Sequence, residues 1–287
     1  MGSSMKTHSK AQSAMEYLMT YGWAILIIAV VLGALFQLGV FNSSSFSPRA
    51  PPGACQVFRP SGPGTTTNIN LMGVCTGQLP QYVAKFNGVS SYISTGTTGF
   101  PLGSSPSSFV GWVYITNPQI YPIIFNYGTI ATNQMALIYC YSNALYFFSG
   151  SAAYAGPGLS SNAWHFVGWS YAGGTSVTLY VDAQSTTPTI PQENILLGST
   201  NPSVIGAYGQ PSLHQYLQGY LANFQLYNVS LSANQVQALY LEGIGGAPLK
   251  LQNLVSWWQL NGDTKDYSGN NNNGVSTAVT FTSQYGR

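Results

Sequence analysis

The distribution of apolar and polar residues divides the chain into one N-terminal apolar run and a long region of short alternating segments. Residues 23–41 contain a single strongly polar side chain, Gln37, and place Leu, Ile, Val and Ala on every face of a helix. A helix that is apolar all round must be buried in lipid or in protein. Residues 12–41 would form a rod of roughly 45 Å at ~1.5 Å per residue, longer than the ~30 Å core of a bilayer. The pattern predicts a hydrophobic helix at residues 12–41.

Beyond this run, residues 42–54 are rich in Ser and Pro and have no periodicity, which indicates a semi-rigid linker. From about residue 80 the chain consists of short segments rich in Tyr, Phe, Val, Ile and Trp, separated by Gly, Asn, Ser and Pro. This pattern is typical of an antiparallel β-sandwich. We therefore predict a mainly β domain over residues 55–287, with strands that include residues 109–115, 136–141, 164–171 and 176–181.

One segment of this domain has helical spacing. Residues 232–243 begin with Ser232, a suitable N-cap, and place Val236, Leu239 and Tyr240 on one face. Asp182 follows the strand-like Leu179-Tyr180-Val181 and is expected in a hairpin turn.

The segment before the apolar run contains a basic leader, residues 1–11, and the polar patch Gln12-Ser13-Ala14-Met15-Glu16. A cleaved secretory signal would have an apolar stretch of ~7–15 residues and a small-residue cleavage site after it, and neither is present here. A permanent single-span anchor, with the positive leader in the cytoplasm, accounts for the charges and the run. Such an anchor has no need for the polar patch.

The leader, the patch and the run together resemble the class III signal peptides of archaeal type IV pilins. The resemblance implies that a prepilin peptidase cuts between Ala11 and Gln12. It also implies that the chain lies in the cytoplasmic membrane before assembly and then packs with copies of itself in a helical filament. Glu16 would neutralise the N-terminal amine of Gln12 in a neighbouring subunit, with the amine of its own chain as the alternative partner.

Composition favours a location outside the cell. Only 5% of the residues are charged, whereas ordinary soluble domains contain about 25%. So few groups titrate that we expect the stability of the domain to change little between about pH 2 and pH 7. A net charge of +2 over 287 residues offers no basic stripe for a nucleic acid. An extracellular filament or the cell surface is the expected location.

Export would expose two kinds of covalent site. Asn42 and Asn228 each begin an Asn-X-Ser sequon, although such triplets also arise by chance in a chain rich in Asn and Ser. Cys55 and Cys75 flank a loop rich in Pro, Gly and Thr, where a disulfide would stabilise the fold by up to ~3 kcal/mol. Cys140 lies in an alternating segment and is expected to be a buried free thiol.

Four segments of the domain carry a second resemblance: YVAKFNGVSSYIS (82–94), WHFVGWSYAGGTSVTLYVD (164–182), GYLANFQLYNVSLSANQVQALYLEG (219–243) and LVSWWQLNGDTKDYSGNNNNG (254–274). They are similar to the successive motifs of laminin G-like, concanavalin A-type jelly rolls. In that family the segment resembling 254–274 usually comes first. We therefore expect a circularly permuted jelly roll in which strands near residues 254–282 close the same two sheets.

Relatives in this family often bind calcium at a rim of acidic residues. The corresponding positions here carry neutral side chains (Asn87, Ser90, Ser91 and Asn223), whereas calcium requires six to eight oxygens that include carboxylates. No tight metal site and no cofactor are expected. A weak site at Asp263 or Asp266 is the alternative to our preferred interpretation, in which both residues cap turns.

Catalysis is not expected either. Glycoside hydrolases of this fold need two carboxylates ~5–9.5 Å apart, and the sequence has no E-x-D-x-E array. His165 and His214 have no Ser or Asp arrangement that the sequence identifies, and a structural role is expected for His165 beside Trp164.

Sugar binding without catalysis is better supported, because twenty Tyr and six Trp exceed what one core requires. Core packing is expected for the tryptophans in strand-like runs (Trp112, Trp164, Trp169 and Trp258), whereas loop tyrosines such as Tyr154 and Tyr208 are freer to bind a glycan.

The sequence therefore predicts a structural subunit of a type IV pilus-like filament, with the helix in the filament core and a lectin-like sandwich outside for adhesion to surface glycans. A monomeric, membrane-anchored, glycan-binding adhesin is the alternative, and an anchored glycanase is a third hypothesis.

Overall fold

The computed structural model describes residues 21–34, 79–118, 121–182, 184–198, 203–209 and 213–286, and the backbone of two further strands, β1 (Cys55–Phe58) and β2 (Thr66–Ile69). The chain divides into two compact units, Met1–Pro48 and Arg49–Arg287. Ala11, Gln12, Glu16, Asn42 and Cys75 lie outside these described residues, and only the backbone of Cys55 is described, so the predictions for them, the Cys55–Cys75 disulfide included, stay predictions.

In the first unit, residues 21–34 form helix α1. Its large apolar side chains, among them Trp23, Ile25 and Val30, are exposed. None of the helices within the described part of the chain is both long enough and apolar enough to cross a bilayer.

The second unit is a sandwich of two antiparallel sheets. After β1 and β2, which pair with each other, the strands follow in chain order: β3 (Val83–Asn87), β4 (Tyr92–Thr95), β5 (Ser107–Ile115), β6 (Ile123–Gly128), β7 (Met135–Tyr141), β8 (Ala144–Phe148), β9 (Ala153–Gly158), β10 (Trp164–Tyr171), β11 (Val177–Val181), β12 (Gln184–Thr186), β13 (Ser203–Ile205), β14 (Gln218–Tyr227), β15 (Leu254–Trp258), β16 (Gly274–Thr277) and β17 (Thr280–Thr282).

The first sheet has the strand order β12-β11-β10-β5-β14-β3-β17, and β15 pairs with β14 beyond the end of β3. The second sheet has the order β16-β4-β13-β6-β7-β8-β9. The predicted antiparallel sandwich is confirmed, and each of the four predicted strands lies within or closely overlaps an observed one. At one edge of the first sheet, the last strand, β17, pairs with β3 near the start of the sandwich.

Aromatic rings fill the space between the sheets. Phe109 lies at the centre of the cluster, 4.5 Å from Phe125 and 5.0 Å from both Trp169 and Phe224, measured between ring centroids. Gly111 leaves the space that the Phe224 ring occupies, since a Cβ atom at this position would overlap that ring. Trp112, Trp164, Trp169 and Trp258 are all buried, as predicted.

The C-terminal segment contributes to both sheets, as expected. β15 pairs with β14, β16 with β4, and β17 with β3. Trp258 enters the core, and its indole N–H donates to the carbonyl of Asn272 at 2.8 Å.

The outer face of the first sheet is covered by helix α2 (Ala233–Glu242). Ser232 is the N-cap, as predicted, and forms a capping box with Gln235; Val236, Leu239 and Tyr240, predicted to share one face, are buried. The Tyr240 ring stacks on Trp112 at 5.8 Å. Helix α2 therefore covers the outer face of the first sheet.

Candidate functional site

The outer face of the second sheet carries an aromatic groove. Because side chains alternate along a strand, β7 directs Ala136, Ile138 and Cys140 into the core and its remaining residues outward. The groove is lined by Tyr121, Ile123, Leu137, Tyr139, Phe148, Tyr208 and Gln215, and its volume is about 220 Å³. We call this surface the tyrosine groove.

Strand register builds the floor of the groove. Tyr139 lies opposite Ile123 on one side and Tyr146 on the other, and Leu137 lies opposite Phe148. The floor residues Ile123, Leu137 and Tyr139 are buried, whereas Tyr121 is exposed and Tyr146 and Tyr208 are half-buried. The result is an apolar floor beneath accessible aromatic rings.

Two loops supply the walls of the groove. In one loop, the Tyr121 ring stacks on Tyr141 with 4.3 Å between centroids. In the second loop, Tyr208 meets the His214 ring edge to face at 4.7 Å, and their backbones exchange hydrogen bonds of 2.8 and 3.3 Å. These backbone bonds hold Tyr208 in place without using its hydroxyl group.

The electrostatics of the groove favour a neutral ligand. Its lining side chains include neither an acid nor a lysine or arginine. Burial raises the pKa of Tyr139 to about 12 and also raises the pKa of Tyr208, so both phenols stay protonated at neutral pH. Each keeps an O–H group that can donate and accept hydrogen bonds.

Of the two loop tyrosines predicted to be free for binding, the structure places one in the groove. Tyr208 lines it, but Tyr154 packs against the core between the sheets. Tyr154 follows the alternation of β9 and points inward, which corrects the expectation for this residue. Tyr121, Tyr139 and Tyr146 were not singled out from the sequence.

The four neutral residues aligned with a calcium rim do not form one site. Asn87 Oδ1 accepts the backbone N–H groups of Val89, Ser90 and Ser91 in a tight turn. Asn223 lies on β14 five residues beyond Gln218, which pairs with Asn87, a separation of roughly 16 Å along the strand. Asn223 Oδ1 instead accepts from the indole of Trp257 and from Gln225.

Asp263 and Asp266 cap turns, as we preferred. Asp266 accepts the backbone N–H groups of Trp257, Ser268 and Asn272, while Asp263 accepts from Lys265 N and the Tyr267 hydroxyl. Within the described residues, no three His, Cys, Asp or Glu side chains are grouped so as to hold a metal ion.

Asp182 occupies the predicted hairpin turn, with a left-handed φ of 54°. There it contacts His165, whose Nδ1 lies 2.7 Å from Asp182 Oδ2 and whose Nε2 lies 2.8 Å from Ser160 Oγ. The sequence did not identify this Ser-His-Asp arrangement, because strand pairing brings the three residues together.

The remaining predicted sites are simpler. Cys140 is a buried free thiol, and burial raises its pKa to about 12. Asn228 is exposed at the end of β14, where its Oδ1 accepts from Asn253 Nδ2, while the Ser230 hydroxyl of the same sequon bonds to Ser170.

Known structures share this fold. A Bacteroides ovatus protein assigned as carbohydrate binding superposes with a TM-score of 0.58 at 16% identity, covering 76% of this chain and 64% of its own length. This chain thus spans less than two thirds of that protein. Likeness at such identity establishes the fold alone.

Two further solved structures match with lower scores. The SAP-like pentraxin of Limulus polyphemus gives a TM-score of 0.47 at 11% identity, covering 72% of this chain and 96% of the pentraxin. The CBM40 module of the Ruminococcus gnavus IT-sialidase, bound to α2,3-sialyllactose, gives 0.45 at 10% identity, covering 56% of this chain and all of the module.

Comparison of the sequence with protein families identifies the family of this chain. No curated protein matches the chain. Residues 87–237, however, match the laminin G-type family described as the concanavalin A-like lectin/glucanases superfamily, and this match covers more than half of the 287 residues. With its two antiparallel sheets, the chain belongs to the concanavalin A-like lectin/glucanases superfamily.

Proposed function

We propose that the sandwich binds neutral glycans in the tyrosine groove and is displayed outside the cell by the N-terminal helix. The observation that supports this function is an accessible cluster of tyrosines over an apolar floor, with no acid, lysine or arginine in its lining. The Bacteroides ovatus protein of similar fold is assigned as carbohydrate binding, which supports the same class of ligand.

The chemistry of the groove suits a sugar ring. Aromatic faces contact the apolar C–H faces of a pyranose, while tyrosine hydroxyls and the Gln215 amide can exchange hydrogen bonds with its hydroxyl groups. A volume of about 220 Å³ is below the ~300–1,000 Å³ of sites for drug-sized ligands. The groove therefore accommodates one ring of a longer glycan and leaves the rest outside.

Glycoside hydrolysis does not fit this groove. The reaction requires two carboxylates ~5–9.5 Å apart on either side of the scissile bond. The residues that line the groove contain no carboxylate. We therefore assign binding, and not glycan cleavage, to this surface.

Tyr208→Ala and Tyr121→Ala should each weaken glycan binding at least tenfold, about 1.4 kcal/mol, because each removes a wall of the groove. A glycan array would identify the ligand, and titration calorimetry would measure its affinity. Tyr267→Ala is the matched control, since Tyr267 is also exposed but lies outside the groove. Equal affinity for the wild-type protein and both groove variants would contradict this assignment.

We extend the proposal to assembly: the apolar helix packs with its copies in a pilus-like filament, and the sandwich decorates the outside. The exposed apolar side chains of α1 support burial against lipid or protein. Glu16 in the polar patch supplies the opposite charge for a buried N-terminal amine, which would be costly alone.

Glu16→Ala should abolish or strongly reduce surface filaments while leaving export and folding of the sandwich intact. Electron microscopy of cells would count the filaments, and mass spectrometry of their subunit should find Gln12 at the N-terminus. Normal filaments from this variant would remove the assembly role of Glu16. A subunit that keeps Lys6 and Lys10 and forms no filaments would favour the anchored adhesin instead.

A further inference from the structure

Three polar side chains lie in series at one end of the first sheet. Ser160 belongs to the connection between β9 and β10, His165 is the second residue of β10, and Asp182 forms the turn between β11 and β12. Ser160 Oγ lies 2.8 Å from His165 Nε2, and His165 Nδ1 lies 2.7 Å from Asp182 Oδ2. This site is separate from the tyrosine groove, none of whose lining residues it includes.

The pairing of β10 with β11 positions the carboxylate. Val167 lies opposite Val181, so that Asp182 follows beside Phe166 and His165. Asp182 N donates to Phe166 O at 2.7 Å, and Phe166 N donates to Asp182 Oδ1 at 2.9 Å. With Oδ1 held by the backbone, Oδ2 is directed at the imidazole.

The serine is held at the other end of the series. The connection that contains Ser160 is fixed on both sides, by a bond from Leu159 N to Asn143 O and by one from Asn162 N to Ile115 O. Ser160 is exposed, whereas the side chain of His165 is only 5% exposed. A shielded base therefore contacts a hydroxyl group that solutes can reach.

The hydrogen bonds define one tautomer. Since a carboxylate only accepts, Nδ1–H donates to Asp182, and in the neutral imidazole the lone pair of Nε2 then accepts the Ser160 O–H. In this arrangement an imidazole can withdraw the serine proton during nucleophilic attack. The same order of groups and atoms defines the serine hydrolase triad.

Stabilisation of the turn does not by itself require these three side chains. A left-handed turn residue that accepts from Phe166 N could equally be asparagine, which favours such φ values and has the same shape. Unlike asparagine, the Asp182 carboxylate places a negative charge beside His165 Nδ1. That charge stabilises the imidazolium that forms when His165 takes up the serine proton.

We propose that Ser160, His165 and Asp182 form a nucleophilic site that hydrolyses small acyl esters, such as acetyl esters. The residues around Ser160, Pro157-Gly158-Leu159 and Ser161-Asn162, are mostly small or polar and the serine is exposed, which favours a short acyl group. Activity at this site would be additional to glycan binding and does not depend on it.

The reaction balances with water as the only other reactant. Ser160 Oγ bonds to the ester carbonyl carbon while its proton passes to His165 Nε2. The bond from that carbon to the alcohol oxygen then breaks, and the proton moves from Nε2 to the departing oxygen. Water attacks the acyl-serine by the same route, which releases the carboxylic acid and restores the Ser160 hydroxyl.

The test uses the full chain with p-nitrophenyl acetate as substrate and a fluorophosphonate as covalent probe. We expect saturable hydrolysis and a probe adduct on Ser160, located by peptide mass spectrometry. Ser160→Ala should remove the adduct, and both Ser160→Ala and Asp182→Asn should lower kcat at least ~100-fold. Ser151→Ala is the control and should retain full activity, because Ser151 is also exposed but lies outside this site.

Thermal unfolding separates catalysis from a structural role, because Asp182→Asn keeps the size of the side chain and the acceptor for Phe166 N. An unchanged melting temperature with lost activity supports the triad. Absence of hydrolysis by the folded wild-type protein, or equal rates in Asp182→Asn and the wild type, would overturn the proposal and leave glycan binding untouched.

Discussion

Removal of residues 254–287 should unfold the entire sandwich, although the deleted segment lies outside the matched family region. β15, β16 and β17 supply strands to both sheets. Trp258 packs between them, 5.9 Å from Phe125 and 6.4 Å from Phe100 between ring centroids. Losing one such buried ring costs ~3–5 kcal/mol, a large part of the ~5–15 kcal/mol that stabilises a typical domain.

The end of the chain also seals the outer face of the first sheet. Tyr285 is buried there, its carbonyl accepts from the Trp164 indole at 3.2 Å, and its hydroxyl donates to Pro80 O. Deletion would expose this aromatic cluster as well as two sheet edges. Together, the lost strand pairing and the lost aromatic packing should exceed the free energy of unfolding of a typical domain.

Circular dichroism during heating would test this prediction. A chain that ends at Gly246 should show no cooperative transition, and Trp258→Ala alone should lower stability by ~3–5 kcal/mol. Trp257, the half-buried neighbour of Trp258, provides a control, because Trp257→Phe should lower the free energy of unfolding less than Trp258→Ala. Retention of a cooperative transition by the shortened chain would show that residues 254–287 are an appendage.

The sequence predicts the sandwich well because its signals are local. Short segments rich in aromatic and β-branched residues, separated by Gly, Asn, Ser and Pro, predicted β5, β7, β10 and β11, and Ser232 as an N-cap predicted the start of α2. Resemblance of the last segment to a family motif predicted closure by the C-terminal strands. Each of these inferences needs only neighbouring residues or a single motif.

The candidate sites depend on contacts between distant segments, which the sequence does not display. The tyrosine groove combines β6, β7 and β8 with the separate loop that carries Tyr208. One signal was present: β7 is apolar at consecutive positions from Met135 to Cys140, so its outer face carries Leu137 and Tyr139 where a solvated sheet would carry polar residues. Asp182 meets His165 only through the β10–β11 register.

A second large effect concerns Glu193, whose environment changes the expected response to pH. Its side chain is 1% exposed, and neither carboxylate oxygen accepts a hydrogen bond from the described residues. Burial raises the pKa of Glu193 from 4.5 to about 8, because a carboxylate loses its hydration there. The folded protein therefore keeps this group neutral at pH 7.

The sign of the effect follows from proton binding. The pKa in the folded state lies above that in the unfolded state, so between about pH 4.5 and pH 8 the folded chain holds a proton that the unfolded chain releases. Stability is full below about pH 4.5, falls as pH rises through this window and levels off above about pH 8. At 1.36 kcal/mol per unit, the loss amounts to about 4–5 kcal/mol.

Composition alone predicted little change between about pH 2 and pH 7. The raised pKa of Glu193 leaves that expectation in place below about pH 4.5 but predicts a loss of stability above it. Neutral residues do not titrate, so one buried carboxyl group can dominate the pH dependence. Low charge content limits the number of titrating groups but says nothing about the burial of each.

Urea unfolding at a series of pH values from 4 to 9 would measure this dependence. We expect the free energy of unfolding to fall by several kcal/mol across the series in the wild type and to stay nearly constant in Glu193→Gln, which keeps the shape of the neutral acid but cannot ionise. Glu242→Gln is the matched control, because Glu242 is exposed at the end of α2 and should leave the pH profile of the wild type unchanged. Parallel profiles for the wild type and Glu193→Gln would mean that Glu193 gains hydration or a partner in solution and ionises without cost to the fold.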